Sequence, residues 1–300
     1  MRVAATLTMA LFLALPATGL PETVSRTIGQ VTMVADLSQA VPGGVIVVHL
    51  RSRHGLGAVD AIFDGRRAPV YDSPHGPRAL VPVPVGTPAG PGTLGFEIMA
   101  RTGRQRVPLD INLAPREYTT RTVTIPETRR YLTTQPSAIR NSRQLLAMLR
   151  TESPLALRHG PFLSPVAAPP VPDSFGAAQT YVGASTVEYL TDAIFGEYHR
   201  GLDFEVPVGT LVQAPAAGTV LFAGYMSIPG AVVVLDHGQG IVSVLAHLSR
   251  VDVHEGDAVE ARAPVGASGE SGLIANPRLQ WRLYVHGVAV DPRVMSAVPD

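Results

Sequence analysis

A histidine and an aspartate four positions apart are the residues of this sequence best placed to do chemistry together. They are His199 and Asp203, and Gly201 between them relaxes the backbone. An imidazole and a carboxylate on a loop that enters a strand can both reach one cation. Because histidine and aspartate occur at this spacing often by chance, the pair alone is a weak indication of a metal site.

A second candidate histidine, His247, lies near the end of a predicted apolar strand, beside Ser249. From that place its imidazole could project into a cleft. Taken alone, the residue is better interpreted as a core histidine, since a single histidine on an apolar strand needs no ligand to explain it. His237 is given no ligand role, and His254 and His286 are predicted to be surface residues.

Several sequence blocks follow the first motif in a fixed order. Together with it they resemble the lysostaphin-type (LytM-type) zinc metalloendopeptidase family, whose fold is also described as the duplicated hybrid motif. The resemblance covers about Tyr198 to Pro292, nearly a third of the chain. The blocks are His199–Phe204, Val208–Val220, Asp236–Gly238, His247–Ser249 and Val290–Pro292.

The resemblance implies a substrate, a metal and residue roles. Members of the family act on peptidoglycan. They hold zinc with the His and Asp of the first motif and the second His of a later His-x-His, which leaves one position for water. Three protein ligands and an open position are the geometry of a hydrolytic zinc site. Carried over, His199 and Asp203 are two ligands, and His247 matches the catalytic histidine that binds or deprotonates the water.

The His-x-His motif is degenerate in this sequence. Arg278 stands at the position of a catalytic histidine, and Gln280 at the position of the third zinc ligand. A Gln side chain offers zinc only a neutral amide oxygen, a poorer donor than imidazole. An Arg side chain keeps its proton near neutral pH, so it is neither ligand nor base, and its charge disfavours a nearby cation. We therefore expect zinc, if any binds, to be held weakly or not at all.

Two interpretations of the replaced residues stay open. In one, Arg278 forms an ion pair with Asp203 that takes the place of the metal. In the other, Arg278 and Gln280 are ordinary solvent-facing strand residues. A guanidinium in hydrogen-bond contact with Asp203 would favour loss of catalysis, whereas a Gln280 amide oxygen turned toward a shared centre would favour a retained metal.

The elements that must position these residues are predicted to be mainly β-strands. Short apolar runs separated by Gly and Pro turns indicate an N-terminal immunoglobulin-like β-sandwich over 20–126, with a hairpin turn at Asp64-Gly65. Helical spacing of apolar residues predicts a short helical linker over 127–160, better interpreted as packed than as partner-binding. A second strand-rich region, 161–300, predicts a LytM-type, barrel-like β-sheet domain.

Composition and the N-terminal segment limit where the protein acts. The 24 basic and 24 acidic side chains give zero net charge, so no nucleic-acid partner is expected. The absence of cysteine excludes disulfides and thiolate catalysis. A basic start, an apolar run from Val3 to Leu15 and small residues at Ala17 and Gly19 predict a signal peptide over 1–19. The mature chain is expected to be exported, periplasmic or secreted, with no transmembrane segment.

Three functions follow from this reasoning. The favoured one is an exported, cell-wall-associated protein whose degenerate domain binds peptidoglycan or regulates a cell-wall hydrolase. The second is an active zinc-dependent peptidoglycan endopeptidase with an altered metal site, in which Gln280 supplies an amide oxygen and His247 is retained. The third is a purely structural β-protein in which the first motif is vestigial.

Overall fold

The computed structural model describes residues 22–28, 30–52, 59–100, 103–183 and 197–298. Strands dominate these residues, so the predicted mainly β class is confirmed. The predicted signal peptide, 1–19, lies outside the described residues. Within the described ranges, no helix has both the length and the apolar character needed to cross a bilayer.

Eight antiparallel strands form the N-terminal sheet, in the order β1-β2-β3-β6-β5-β4-β7-β8. The path bends round a single core, and the Arg26 guanidinium of β1 donates to the carbonyl of Pro108 in β8, so the sheet is nearly closed. The strands are β1 (Thr23–Ile28), β2 (Val31–Asp36), β3 (Val45–Ser52), β4 (Val59–Phe63), β5 (Arg66–Tyr71), β6 (Arg78–Pro82), β7 (Gly90–Ala100) and β8 (Gly103–Leu113).

One apolar core holds the two halves of this sheet together. Met33 and Ile46 enter it from β2 and β3, while Phe63 and Phe96 enter it from β4 and β7. Alternation of buried and partly exposed residues along β4 is the pattern of a strand with one face in a core. Core side chains drawn from two facing groups of strands agree with the predicted sandwich.

The predicted hairpin turn at Asp64-Gly65 is confirmed. Phe63 pairs with Arg66 across it, so the loop has two residues. Asp64 and Gly65 both have positive φ, 48° and 71°, which is the requirement of the turn type that matches strand twist.

Short helices and a two-stranded sheet connect the N-terminal sheet to the rest of the chain. A 3-10 turn at Glu127–Arg129 leads to α1 (Tyr131–Thr134) and α2 (Pro136–Met148). Strands β9 (Thr120–Thr124) and β10 (Ala178–Val182) pair in parallel. The domain boundaries at 126/127 and 160/161 remain predictions.

Nine strands form the C-terminal sheet, whose main path is β11-β18-β15-β14-β13-β16; β12 pairs with β17, β17 also with β15, and β19 with β18. A short helix, α3 (Pro292–Met295), follows. The strands are β11 (Leu202–Phe204), β12 (Leu211–Gln213), β13 (Gly218–Met226), β14 (Gly230–Asp236), β15 (Ile241–Val251), β16 (Ala258–Val259), β17 (Pro264–Ser268), β18 (Leu279–Val285) and β19 (Val288–Val290).

Helix α2 packs on this sheet. Leu145 from α2 and Leu149, just beyond its end, share a core cluster with Met226, Val232 and Val244 of the sheet. The structure therefore agrees with a packed helix in the predicted linker region.

The N-terminal and C-terminal sheets also pack against each other. Val45 and Leu80 of β3 and β6 belong to the same core cluster as Val290 of β19. At the same boundary Asp291 caps α3 and accepts hydrogen bonds from Arg293 and Arg116. The two β-structures therefore share buried apolar side chains and a buried carboxylate.

One histidine predicted to be on the surface lies at this boundary instead. His254 has a side chain that is 92% exposed, as expected. The prediction for His286 was wrong, because its ring stacks on Tyr71 of the N-terminal sheet, with ring centroids 6.0 Å apart. Contact between the two sheets removes from solvent both ring nitrogens of His286, which lies in a turn between β18 and β19.

Candidate functional site

Strand register places Gln280 between the two predicted zinc ligands. In β11 and β18, Asp203 lies directly opposite Gln280. His199 precedes β11 and is held by backbone hydrogen bonds to Ala177 and Gly176. His199, Asp203 and Gln280 are all buried, so their polar atoms must satisfy one another.

The tautomer of His199 follows from its neighbour. Nδ1 lies 2.6 Å from the carbonyl oxygen of Ser174, an acceptor, so Nδ1 carries the proton and donates. In the neutral ring, Nε2 then presents its lone pair. That nitrogen is 3.3 Å from Oδ1 of Asp203. His199 Nε2 and Asp203 Oδ1, which are both acceptors, therefore lie side by side and need a shared donor.

The Gln280 amide supplies the donor at that point. Its Nε2 lies 2.6 Å from His199 Nε2 and 3.1 Å from Asp203 Oδ1. Its oxygen Oε1 accepts from Nε of Arg282 at 2.5 Å. Because Arg282 can only donate, it fixes the amide with the NH₂ group toward the histidine and the aspartate.

Two arginines hold the other oxygen of Asp203. Nη1 of Arg278 and Nη1 of Arg121 lie 3.0 and 3.1 Å from Oδ2. Burial by itself raises the pKa of Asp203, but the positive charges of Arg278 and Arg121 oppose it, and that pKa lies well below its usual range. Of the two interpretations of Arg278, the structure contains the ion pair.

The residues present do not fit a catalytic zinc ion. A zinc ligand must offer a lone pair, and Gln280 offers N–H groups where the third ligand should be. The guanidinium of Arg278 adds a positive charge beside Asp203. In the described part of the chain, no group of three or more His, Cys, Asp or Glu side chains could hold a metal ion.

His247 is buried close to this cluster with a neutral ring. Its Nδ1 lies 3.0 Å from the carbonyl of Ser271 and therefore donates, which leaves the lone pair on Nε2. Burial lowers the pKa of His247 to about 3. Its backbone has φ +66°, a conformation that costs free energy for a non-glycine residue and is often found at functional sites.

A cavity of about 380 Å³ brings these residues to one surface. His199, Gln280 and His247 line it, so the structure brings the predicted site residues together around one space. The lining also includes four arginines: Arg121, Arg200, Arg278 and Arg282. The size is within the range of small-ligand sites, roughly 300–1,000 Å³.

Sequence reasoning missed three residues of the cluster. Arg121 and Ser174 come from segments outside the first motif, and nothing local marks them as neighbours of Asp203 or His199. Arg282 could have been found, because residues two apart on a strand point to the same face. Gln280 and Arg282 stand in that relation on β18.

Comparisons with known proteins give matches for the region that contains the site. Residues 197–292 match Peptidase family M23. An uncharacterized metalloprotease of Haemophilus influenzae is 38% identical over 95 residues, 31% of this chain and 20% of that protein. Peptidoglycan DD-endopeptidase ShyA of Vibrio cholerae is 33% identical over 93 residues, 31% and 22% of the two chains. Murein hydrolase activator EnvC of Escherichia coli is 31% identical over 119 residues, 39% and 28%.

A solved structure matches far more of the chain. The crystal structure of a Pseudomonas aeruginosa chain assigned to peptidase M23 has a TM-score of 0.60 and 27% identity, covering 87% of this chain and 97% of that one. The likeness therefore reaches well beyond residues 197–292 into the N-terminal sheet. By contrast, the chain spans between about a fifth and three tenths of the length of the three relatives above.

Proposed function

Because residues 197–292 form a domain of peptidase family M23, the LytM-type family, we propose that this chain is an exported, cell-wall-associated protein that does not cleave its ligand. In this proposal the domain binds peptidoglycan or regulates a cell-wall hydrolase. The observation that carries it is the orientation of the Gln280 amide, whose N–H groups face His199 and Asp203.

The chemistry of the cluster supports the absence of cleavage. Hydrolysis in this family needs a third zinc ligand and a basic histidine, and the two positions hold Gln280 and Arg278. Here the amide and the guanidinium satisfy the acceptors of His199 and Asp203 directly. The acceptors of the cluster therefore have hydrogen-bond donors without a metal ion.

The similarity to EnvC supports a regulatory role. That relative is named a murein hydrolase activator, so a domain of this type occurs in a protein that acts on a hydrolase. ShyA, by contrast, is named an endopeptidase. The replacement of the third zinc ligand by Gln280 supports the first kind of function over the second. Export is supported by the N-terminal pattern of residues 1–19.

One observation favours the alternative, an active enzyme with an altered metal site. His199 Nε2 and Asp203 Oδ1 are 3.3 Å apart, close to the ~3.3 Å between two ligands of a tetrahedral zinc ion. For Gln280 to become the third ligand, its amide must turn over. That rotation breaks the hydrogen bond from Arg282 and places Nε2 against another donor.

The test is zinc content and wall cleavage of the full chain purified without chelators. We expect far less than one zinc per chain, no release of soluble fragments from purified sacculi, and co-sedimentation of the protein with sacculi or stimulation of a wall hydrolase. Stoichiometric zinc with cleavage that is lost in His199→Ala and kept in the control His254→Ala would instead establish the enzyme. No binding and no stimulation would favour a purely structural role.

A further inference from the structure

Strand β9 is the open edge of the small parallel sheet that borders the cavity. One side of β9 pairs with β10. The other side of β10 is already occupied, because the N–H of Gln179 donates to the carbonyl of Glu197 and the N–H of His199 donates to the carbonyl of Ala177. Within the described residues, β9 has β10 as its single neighbouring strand.

Every second residue of β9 directs its main-chain groups away from β10. The two ends of the ladder fix this alternation, because the carbonyl of Thr119 and the N–H of Ile125 both bond to residues of β10. The residues that face the free edge are therefore Thr120, Thr122 and Thr124. Their N–H and C=O groups make no hydrogen bond in the described part of the chain.

This edge lacks the features that normally prevent the addition of a strand. Natural edge strands are protected by proline, by bulges or by exposed charges. The sequence of β9 is Thr-Arg-Thr-Val-Thr, and its pairing with β10 has no register shift. The one charge, on Arg121, is paired with the Asp203 carboxylate. The edge is therefore open, and its threonines and valine favour strand pairing.

The cavity beside Gln280 reaches this edge. Of β10 it is lined by Gln179 and Tyr181, alternate residues that share one face of the strand. On the β9 side every residue from 121 to 126 lines it. Since one face of a strand supplies only alternate side chains, the cavity must also touch the main chain of β9. The loop 273–276 forms another part of the lining.

The lining indicates which side chains a partner should carry. Arg121 and Arg278 share one carboxylate, that of Asp203, so these three side chains leave one positive charge that favours an acidic residue. Five apolar side chains also line the cavity: Val123, Ile125, Ile228, Leu273 and Ile274. An extended polypeptide with acidic and apolar residues matches both features, and its main chain supplies the N–H and C=O groups that the edge needs.

We propose that the free edge of β9 binds an extended segment of a partner protein, which adds to the small sheet as a third strand. The main-chain groups of Thr122 and Thr124 bond to the segment, and an acidic side chain of the segment pairs with Arg278. This inference rests on the proposed function in one respect: a regulated cell-wall hydrolase is the expected source of the segment. Because β9 precedes residues 197–292, the edge is a feature that this chain adds to the family domain.

The test is calorimetric titration of the full chain with acetyl-Glu-Val-Thr-Val-Thr-Val-Glu-amide, whose acidic ends suit either strand direction. One analogue carries N-methyl groups on the valines and another carries them on the threonines. We expect one of the two to bind at least about tenfold more weakly, because it loses the N–H donors that face β9, and the other to stay within about threefold of the parent peptide. No binding up to about 1 mM, or an equal loss with both analogues, would overturn the proposal.

Variants at Thr122 locate the site on the protein. Thr122→Pro removes an N–H that faces the free edge and keeps the bonds to β10, a position at which an edge strand accepts proline. We expect this variant to bind the peptide at least about tenfold more weakly and Thr122→Val, which keeps the N–H, to match the wild type. Thermal denaturation checks that both variants fold, and an unchanged affinity in folded Thr122→Pro would contradict the proposed contact.

The acidic residue is tested with a peptide that has glutamine in place of both glutamates. We expect it to bind about threefold to tenfold more weakly, because it loses the charge-assisted pairing with Arg278. Equal affinity of the two peptides would overturn the assigned charge pair.

Failure of this inference is distinguishable from failure of the proposed function. If Thr122→Pro stimulates a wall hydrolase as well as the wild type does, the edge is overturned and the regulatory role stands. If the edge binds the peptide but the chain binds no sacculi and affects no hydrolase, the edge stands and the cell-wall role falls. Tighter binding of soluble wall peptides than of the probe, unchanged in Thr122→Pro, would overturn the protein segment as the occupant.

Discussion

At the scale of single residues, the side-chain amide nitrogen of Gln280 takes the place that the metal ion has in the zinc sites of related proteins. Gln280 Nε2 contacts the same two atoms, His199 Nε2 and Asp203 Oδ1, that would bind a metal. Two N–H groups can satisfy two acceptors at these distances without the cost of bringing a dehydrated ion into the core. Arg282 fixes the orientation of the amide, because its Nε donates to Oε1 of Gln280 and leaves Nε2 facing His199 and Asp203.

Removal of the amide should destabilise the fold. In Gln280→Leu the buried acceptors of His199 and Asp203 and the Nε donor of Arg282 lose their partner, so we expect the free energy of unfolding to fall by about 3 kcal/mol. Urea denaturation followed by circular dichroism measures it. Gln213→Leu, in a strand of the same sheet with a partly exposed side chain, is the matched control and should lose about 1 kcal/mol or less.

Restoring both imidazoles should restore metal binding. His199 and Asp203 already have the separation of two zinc ligands. We therefore expect Arg278→His combined with Gln280→His to bind about one zinc per chain and to release fragments from sacculi. Elemental analysis and a turbidity assay measure the two effects.

A triple variant that adds His199→Ala is the control, and it should lose the zinc gained by the double variant. A double variant without zinc would show that Arg121 or the buried surroundings have moved the remaining ligands away from a zinc geometry.

At the scale of elements, the site depends on the close approach of β11 and β18. Gly201 lies where the chain enters β11, and a Cβ at that position would come within 2.7 Å of the carbonyl oxygen of Trp281 and 2.8 Å of Cγ of Arg282. Glycine is therefore required at position 201 because a Cβ would clash there, and not because the backbone has a positive φ. The same contact keeps Gln280 within hydrogen-bond distance of Asp203.

Gly201→Ala should therefore separate the two strands. We expect a loss of about 1–3 kcal/mol in the free energy of unfolding, because overpacking forces the backbone to shift. Gly92→Ala in β7 is the control, since its Cβ would meet only ordinary contacts at 3.6 Å or more. Thermal denaturation of both variants makes the comparison, and equal melting temperatures would contradict the steric argument.

The elements were largely predictable, but the contacts between distant ones were not. Turn chemistry indicated the Asp64-Gly65 hairpin, and apolar runs indicated both strand-rich regions. Arg121 lies in β9, more than seventy residues before Asp203, and its role depends on how β9 crosses the cavity. His286 has no local pattern that would place it beneath Tyr71. Both contacts arise from tertiary packing, which residue types and spacing do not encode directly.

At the scale of the whole molecule, Asp291 ties the end of the C-terminal sheet to the preceding region. Burial by itself raises the pKa of Asp291, but hydrogen bonds from Arg293 and Arg116 outweigh it and lower the pKa below its ordinary value. A carboxyl with a lowered pKa in the folded state stabilises the fold above the pKa of the unfolded chain, about 3.9, and loses this effect as pH falls further.

Asp291→Asn should thus cost stability at neutral pH and much less in acid. We expect a deficit of about 2–3 kcal/mol at pH 7 that shrinks below about pH 4. Asp252→Asn, at an exposed pair with Arg250, is the control and should leave the stability nearly unchanged at every pH. Urea denaturation at pH 7, 5 and 3 measures both, and a deficit independent of pH would contradict the assigned pKa.

Three histidines with lowered pKa values, His237, His247 and His286, should make the fold sensitive to mild acid. Burial lowers the pKa of His237 and of His286 to about 4 each, whereas an unfolded histidine titrates near 6.5. Between those pH values these histidines are protonated in the unfolded chain and neutral in the folded chain. The free energy of unfolding should therefore fall from about pH 6.5 to about pH 4, by up to ~1.4 kcal/mol per pH unit for each histidine.

Replacement of one such histidine should reduce that slope. His286→Gln is expected to lower the pH dependence by about a third in this window, because His237 and His247 still contribute, while the exposed control His254→Gln leaves it unchanged. Denaturant midpoints at closely spaced pH values provide the measurement, and an identical slope in His286→Gln and the wild type would contradict the assignment.

Two contacts made by residues before position 197 have a practical consequence for experiments on fragments of the protein. Arg121 and Ser174 both precede residue 197, yet they hold Asp203 and His199 in place. A fragment limited to residues 197–292 would lack Arg121, which contacts the Asp203 carboxylate. It would also lack Ser174, whose carbonyl fixes the tautomer of His199. Metal uptake or enzymatic activity found in such a truncated piece would describe the fragment and not the intact chain.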